Sequence, residues 1–582
     1  MTPVYFKECF GWLHWARGGC GVVICPAYGV EELCTHRFMR HLAEQLSAAG
    51  MPVLRFDYHG TGNSKGSDQD PDRVVHWLTS IKQAIACLKK ETGVSEVALV
   101  GLRLGALLAA EVAQQSDEIE KLVLLAPVSS GKSYVRETRA LAMVMDTERV
   151  AGNLDARSAG KSDGMEVAGF QLSAATIESM QKLEFPLLSK VRAQNVLIMG
   201  RPNVAADALM ADKLRSSDCM VTHMEFRGFA EMQWDTSFAS LPHDAFDPVV
   251  HWLVRNESPA NCAQSVSISP ARLEGDGWIE EAVQFGESQR LFGVLCQSDQ
   301  SNLNKSYNQV VLFINHGANH HVGWARMHVM LGRRFARRSV DSLRMDISGV
   351  GDSPARPGYE ENMLYARHSQ YDVYAAIDWL VERGYQTITI VGHCAGAHLG
   401  FYTTLYDARV KGLVMLNMQR FFWVRGASLA VASRNGFRSS NWYQSRVFDP
   451  QVWRRLVAGE VNLGGIIVAM AKRVMARLKG FTEYFVAPVL GKESKSRKVV
   501  RWFRELSERG TRVLLVYSSD DAGLDEIAVH AGLHANRLTK LPNVKFHMLD
   551  GADHNLTPAW TREKYADLLE EFLTDEGGIT AK

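Results

Sequence analysis

The sequence of 582 residues lacks the features that mark several large classes of protein. It contains no run of about 18 apolar residues, so we expect no transmembrane span. Its first residues have neither a basic segment nor an apolar core, which argues against a signal peptide. The nine cysteines form no C-x-x-C pair and no dense framework. Reduced thiols in a cytoplasmic protein therefore fit this sequence best.

The chain also lacks an excess of charge of either sign. With 65 basic and 64 acidic side chains its formal net charge is +1, so bulk electrostatics do not indicate a nucleic-acid partner. Hydrophobic residues make up 46% of the chain and charged residues 22%, which is typical of a soluble globular protein. A chain of this length has room for two to four domains.

One short stretch, Val391–Ala397 (VGHCAGA), has the pattern of a sharp turn between a strand and a helix. It follows the apolar, β-rich run Thr387–Val391 and precedes the helical run Ala397–Tyr402. Glycines two residues on either side of a nucleophile at such a turn form the G-x-S-x-G elbow, here with Cys394 in place of serine. The glycines are needed because the turn is strained and the helix packs close to the strand. The helix N-terminus favours the thiolate.

Two further motifs follow in the order nucleophile, acid, histidine. The strand-like run Arg512–Tyr517 precedes Asp520 and Asp521, and the run Val544–Leu549 precedes His554. We therefore predict the cysteine as nucleophile, His554 as general base and Asp521 as the group that orients the imidazole. Asp520 is a close alternative, because only one of two adjacent side chains can point at the imidazole.

Together these motifs resemble the α/β-hydrolase superfamily. A fourth motif agrees with the resemblance, since Phe313–Asn319 reads as a strand ending in His-Gly. The resemblance implies an oxyanion hole made of two backbone N–H groups. One is the N–H after the nucleophile, at Ala395, and the other follows the His-Gly pair, at Ala318 or, as second choice, Asn319.

The first half of the chain repeats the same design. Four motifs recur in one order, at offsets of 282, 289, 289 and 291 residues. The pairs are Phe10–Leu13 with Phe292–Leu295, Leu54–Asp57 with Leu343–Asp346, Gly60–Ser64 with Gly349–Ser353, and Gly101–Ala106 with Gly392–Ala397. Strands alternate with helices in both copies. We therefore predict an α/β protein of two tandem α/β-hydrolase domains, each a mostly parallel, doubly wound sheet.

We place the first domain at residues 1–255, a polar and proline-marked linker at 256–276, and the second domain at 277–582. The first domain has lost its triad, because Arg103 occupies the elbow and a guanidinium cannot act as a nucleophile. A degenerate, structural copy is the favoured interpretation. The alternative is that Arg103, at an exposed elbow, binds a carboxylate or phosphate.

The main difference between the copies is an insertion in the second, at about 419–507, with no convincing strand. In α/β-hydrolases this insertion carries the cap over the active site, so the resemblance implies a large helical cap that sets specificity. Within it, Asn462–Phe481 has one apolar and one basic side. This pattern favours a cap helix with a solvated basic face, and peripheral membrane contact is the alternative.

Several side chains near the presumed site are candidates for further roles. His393, Asn319 and Arg103 are possible substrate contacts. The histidines around the site match no helix-borne pair of metal ligands, so we expect no metal and no other cofactor.

A Cys-His-Asp site attacks an activated carbonyl and forms a thioester acyl-enzyme. We therefore expect a hydrolase (esterase or thioesterase) or acyltransferase whose substrate is a small-molecule or carrier-bound acyl group and whose intermediate is acyl-Cys394. A cysteine at this elbow is similar to that of dienelactone hydrolases and polyhydroxyalkanoate synthases. Phe56–Ser64, Gly101–Gly105 and Asp553–Thr557 resemble serine-aminopeptidase-like hydrolases, including those associated with exosortase gene clusters. A catalytically silent scaffold or binding protein is the alternative, and the oligomeric state stays open.

Overall fold

The computed structural model describes residues 1–150, 164–185, 195–216, 219–233, 235–255, 272–299, 308–423, 475 and 494–574. The chain divides into two compact units. The first holds residues 1–145, 160–275 and 279–282, and the second holds the remainder. Each unit is built around one large sheet.

The sheet of the first unit has eight strands in the order β1-β2-β4-β3-β5-β6-β9-β10. These strands are β1 (Thr2–Phe6), β2 (Cys9–His14), β3 (Cys20–Cys25), β4 (Val53–Phe56), β5 (Glu96–Leu102), β6 (Ile119–Leu125), β9 (Asn195–Gly200) and β10 (Met220–Glu225). All neighbours from β4 to β10 are parallel, and β1 and β2 add an antiparallel edge. A separate hairpin joins β7 (Met165–Val167) and β8 (Phe170–Leu172).

Helices connect these strands and cover both faces of the sheet. They are α1 (Val30–Ala48), α2 (Arg73–Thr92), α3 (Leu104–Gln114), α4 (Gly131–Val150), α5 (Ala174–Gln181), α6 (Ala205–Arg215), α7 (Phe229–Met232) and α8 (Phe246–Val254). Strand β3 shows why two layers of helices are required. Alternate side chains of a strand point to opposite faces, so Val23 joins the core under α2 and α3 while Val22 and Ile24 join the core under α1 and α8.

The second large sheet has nine strands in the order β11-β12-β13-β15-β14-β16-β17-β18-β19. They are β11 (Arg272–Gly275), β12 (Trp278–Phe285), β13 (Leu291–Gln297), β14 (Gln309–Phe313), β15 (Asp341–Met345), β16 (Thr387–His393), β17 (Val410–Leu416), β18 (Arg512–Ser518) and β19 (Val544–Leu549). Apart from β11, this is the strand order of the first sheet, which confirms the predicted duplication of one fold.

The helices of the second unit are α9 (Met327–Ala336), α10 (Ser369–Glu382), α11 (Ala395–Tyr406), α12 (Lys495–Glu508), α13 (Gly523–Ala531) and α14 (Ala559–Thr574). The core on one face of the sheet includes residues of α10 to α13, and the core on the other face includes residues of α9 and α14. The strands from β15 through β19 run parallel. Their carboxyl ends therefore meet at one edge of the sheet, where loops can bring side chains together.

The linker prediction is wrong at its C-terminal end. Residues 256–271 lie outside the described residues, but Arg272–Gly275 forms strand β11. Its buried Leu273 lies between the exposed Arg272 and Glu274, which is the alternation of an edge strand. Gly277, with φ +76°, makes the turn into β12. An Asp-Gly pair between two such runs is a hairpin signal that the polar composition concealed.

The cap prediction falls mostly outside the described residues, which omit 424–474 and 476–493 and so nearly all of the proposed amphipathic helix. Its C-terminal bound is wrong, because Lys495–Glu508 is helix α12 of the domain core. Val499 and Phe503 on α12 are completely buried in the same core as α11. Within the described part of the chain, every helix is too short or too polar to span a bilayer.

Candidate active site

Cys394 lies at the sharp turn between β16 and α11, with φ 54° and ψ −114°. This backbone conformation is uncommon for a residue with a side chain and is characteristic of functional turns. Two glycines permit it. A Cβ on Gly392 would lie 2.4 Å from the carbonyl oxygen of Gly396, and a Cβ on Gly396 would lie 2.3 Å from that of Asn315. The strand, turn and helix thus meet as the sequence pattern predicts.

The structure brings the three residues of the predicted triad close together. His554 follows β19 and Asp521 follows β18, its neighbour in the sheet. His554 Nδ1 contacts Asp521 Oδ2. Cys394 lies near enough to the imidazole to raise its pKa. Asp521 is completely buried, and its Oδ1 accepts a hydrogen bond of 2.7 Å from the backbone N–H of Gly523.

The charges in this chain favour a protonated imidazole. Burial lowers the pKa of His554, but Asp521 and Cys394 outweigh it and hold that pKa well above its ordinary value. A histidine of this kind can stabilise a neighbouring thiolate. Asp520, the alternative acid, accepts a hydrogen bond of 3.4 Å from Ser519 Oγ. The carboxylate that contacts the imidazole is therefore Asp521.

Three further side chains hold the histidine loop in place. Asn417, directly after β17, donates from Nδ2 to the carbonyl oxygen of His554 at 2.8 Å, and His393 Nε2 lies 2.7 Å from the same oxygen. Gln419 Nε2 lies 3.3 Å from His554 Nδ1 and 3.4 Å from Asp521 Oδ2. No sequence motif singles out Asn417 or Gln419. Their position after a central parallel strand is the signal that could have found them.

The backbone N–H groups predicted for the oxyanion hole differ in whether they already have a hydrogen-bond partner. The Ala395 N–H belongs to the first turn of α11, where helix N–H groups have no partner within the helix. Asn319 donates its N–H to the carbonyl oxygen of His316 at 3.0 Å, which closes a turn. Within the described residues the Ala318 N–H makes no such bond. This geometry favours Ala318 over Asn319 as the donor beside Ala395.

His393 and Asn319 are each only 2% exposed, so neither offers much surface to a substrate. His393 stacks on His316 with 3.5 Å between ring centroids and 16° between planes. Burial is the main cause that lowers the pKa of both imidazoles well below the ordinary value. This burial argues against the substrate contact that the sequence suggested for His393, whose observed partner is the carbonyl oxygen of His554.

The same histidines form one group whose ring nitrogens lie close enough together to be considered as metal ligands. Ring nitrogens of His316, His393 and His554 lie within 4.8 Å of one another. An imidazole binds a metal in the plane of its ring. Because the rings of His316 and His393 are nearly parallel and stacked face to face, one ion cannot lie in both planes. We assign no metal to this cluster.

An aromatic group lies beside the thiol. The Tyr365 hydroxyl is 3.9 Å from Cys394 Sγ. Its ring stacks on Trp423 and meets the edge of His398. No sequence motif singles out Tyr365, because it lies in a loop with no repeating pattern.

The equivalent elbow of the first unit keeps its backbone but not its chemistry. Arg103 has φ 54° and ψ −118° between β5 and α3, yet the predicted exposed elbow is wrong, because this residue is only 4% exposed. Its Nε donates to Glu31 Oε1 at 2.7 Å and its Nη2 to Glu137 Oε2 at 2.5 Å. Burial lowers the pKa of Arg103, but the two carboxylates outweigh it and raise that pKa above its ordinary value. The guanidinium is thus already paired with anions of its own chain.

Comparison with known proteins places both units in one superfamily. Residues 23–167 match the family described as serine aminopeptidase, S33, and residues 311–568 match the alpha/beta hydrolase family. No protein with a curated description matches the sequence significantly. The chain is thus a tandem of two α/β-hydrolase domains and a hydrolase of the α/β-hydrolase type, as the motifs predict.

Two solved structures illustrate what the chain is similar to. Est1E from Butyrivibrio proteoclasticus is 14% identical, with 50% of this chain and 98% of that chain covered and a TM-score of 0.29. The esterase Pf2001 of Pyrococcus furiosus is 13% identical, with 53% and 98% covered and a TM-score of 0.32. We draw no functional conclusion from likenesses this low.

Proposed function

We propose that this tandem of α/β-hydrolase domains is a Cys-dependent acyl hydrolase or acyltransferase that acts through an acyl-Cys394 intermediate in its second domain. One observation carries the proposal: the His554 imidazole contacts the buried Asp521 carboxylate and lies near enough to Cys394 for that residue to raise its pKa. The substrate is an ester or thioester of a small molecule or a carrier. The first domain, with its elbow occupied by a paired Arg103, acts as a structural partner.

In this mechanism His554 first takes the thiol proton, and Asp521 stabilises the resulting imidazolium and fixes its orientation. The sulfur attacks the substrate carbonyl, and the oxygen acquires negative charge facing the N–H groups of Ala395 and Ala318. When the intermediate collapses, His554 gives its proton to the leaving alcohol or thiol. Water or another acceptor then releases the acyl group by the same steps in reverse.

The test is the intact mass of the protein after incubation with short and medium acyl thioesters and activated esters. We expect one acyl increment on the wild type and none on Cys394→Ala. Cys87 provides a matched control, because it is the other half-buried cysteine in the described part of the chain, and burial raises its pKa to about 12. Cys87→Ala should acylate like the wild type.

The lifetime of the adduct separates the two proposed activities. Rapid loss in water indicates a hydrolase, and a stable adduct that is released by an added alcohol, amine or thiol indicates a transferase. If no substrate in the panel modifies the wild type, the catalytically silent scaffold becomes the better interpretation of the fold.

A further inference from the structure

Tyr365 has two unusual features that the proposed mechanism does not use. Its hydroxyl lies 3.9 Å from Cys394 Sγ, within the range of a long hydrogen bond to sulfur. Its backbone has φ +63°, a left-handed conformation that is strained for a residue with a bulky side chain. Strain of this kind persists only where the surroundings impose it, and it concentrates at functional sites.

The surroundings that impose it are aromatic. The Tyr365 ring stacks on Trp423 with 4.3 Å between centroids and 7° between planes. On another side it meets the edge of His398 at 5.0 Å. His398 is fixed in turn, because its Nδ1 lies 2.7 Å from the carbonyl oxygen of Arg420. The tyrosine ring therefore has little freedom to move its hydroxyl away from the sulfur.

This hydroxyl can only donate to an anionic sulfur. Burial and the neighbouring Cys394 raise the pKa of Tyr365 well above its ordinary value, so the phenol stays protonated throughout the pH range in which the protein would work. A protonated hydroxyl strengthens its hydrogen bond when the acceptor becomes charged.

We propose that Tyr365 is a catalytic residue that donates a hydrogen bond to Cys394 Sγ whenever the sulfur carries negative charge. The proposal rests on the proposed acyl-Cys394 chemistry and adds a donor to it. Such a donor acts on the sulfur, whereas Ala395 and Ala318 act on the carbonyl oxygen.

The step that needs this donor is the release of the acyl group. His554 removes the proton of the acceptor hydroxyl, and the acceptor oxygen forms a bond to the acyl carbon. When the tetrahedral intermediate collapses, the carbon–sulfur bond breaks and its electron pair returns to Cys394 Sγ. The Tyr365 hydroxyl stabilises this leaving thiolate, with its own O–H bond intact throughout. In the first step the same hydrogen bond stabilises the thiolate but makes it less nucleophilic, so the two effects offset each other.

The structure therefore predicts an unequal effect of Tyr365→Phe on the two steps. This variant keeps the ring and its stacking on Trp423 and removes only the oxygen. With an aryl thioester as donor, we expect acylation of Cys394 within about threefold of the wild type. We expect loss of the acyl group to be about tenfold slower, in line with one hydrogen bond to a charged group. The acyl-enzyme should accumulate in intact-mass spectra.

Two further variants complete the experiment. Tyr371→Phe is the matched control, since Tyr371 is 63% exposed, and it should leave both rates unchanged. Trp423→Leu removes the stacking partner and should slow acyl release in the same direction as Tyr365→Phe. If the wild type acylates but Tyr365→Phe releases the acyl group at the wild-type rate, Tyr365 is structural and only this inference fails. If the wild type forms no acyl-enzyme, the proposed function fails and the catalytic role of Tyr365 fails with it.

Discussion

Asp521→Asn is the most direct test of the proposed triad. The side chain is completely buried and has two defined contacts, from Oδ1 to the N–H of Gly523 at 2.7 Å and from Oδ2 to Nδ1 of His554. Asparagine has almost the same shape. Its amide oxygen should keep the bond from Gly523, which turns the amide NH₂ toward His554. The imidazole must then accept at Nδ1 and carry its proton on Nε2, the tautomer that cannot take a proton from the thiol.

The magnitude follows from the charge that is lost. Two unit charges about 4 Å apart at an effective dielectric constant of about 20 interact by about 4 kcal/mol. Removing the carboxylate therefore destabilises the imidazolium–thiolate pair by roughly a factor of 10³, and the unfavourable tautomer acts in the same direction. We expect the rate constant for acylation of Cys394 to fall about 10³-fold.

The assay is the rate of acyl-adduct formation on Cys394 by an aryl thioester, followed by intact mass. Asp520→Asn is the matched control, because it removes the same charge one residue away, and it should change the rate less than threefold. Circular dichroism of both variants should match that of the wild type. An equal loss in both variants, or a larger loss for Asp520→Asn, would refute the assignment of Asp521.

Three further predictions concern the elbow, the histidine and the first domain. Gly396→Ala should slow acylation about 100-fold by displacing the start of α11, whereas Gly384→Ala, whose Cβ meets nothing within 4 Å, should not alter the rate. The pKa of His554 is raised in the folded state, so its charged form stabilises the fold. His554→Gln should therefore lower the unfolding free energy most below pH ~6.5, and the difference from the wild type should shrink as the pH rises through the folded-state pKa. Urea titrations at several pH values measure this difference. Arg103→Met should lower the unfolding free energy by about 2–3 kcal/mol, because Glu31 loses its cation, and should leave acylation of Cys394 unchanged in the mass assay.

The sequence predicted correctly those features that depend only on local chemistry and on the order of motifs along the chain. A glycine two residues before Cys394 and another two residues after it indicate a turn without room for Cβ atoms, and the structure shows contacts of 2.4 and 2.3 Å at those positions. The order of cysteine, acid and histidine along parallel strands was enough to predict that they meet at one edge of the sheet. Repeated motifs at a nearly constant offset were enough to predict two copies of one fold.

The sequence was uninformative where the outcome depends on which distant side chains become neighbours. Asp520 and Asp521 are adjacent and chemically identical, and only the turn after β18 determines which one contacts His554. Tyr365 lies 29 residues before Cys394 in a loop without periodicity. Its importance depends on the stacking of Trp423, a contact that no local pattern encodes.

Arg103 shows why the elbow alone does not identify a catalytic domain. Its φ and ψ of 54° and −118° nearly equal the 54° and −114° of Cys394, although a guanidinium cannot attack a carbonyl. The strained turn is therefore a property of the sheet, the helix and their glycines, and it persists without a nucleophile. What separates the two domains is the charge placed around the turn. Glu31 and Glu137 neutralise a permanent cation in the first, whereas in the second Asp521 supports a histidine that can gain and lose a proton. The difference between a fixed ion pair and a titratable one is the physical basis for proposing that catalysis takes place in the second domain alone.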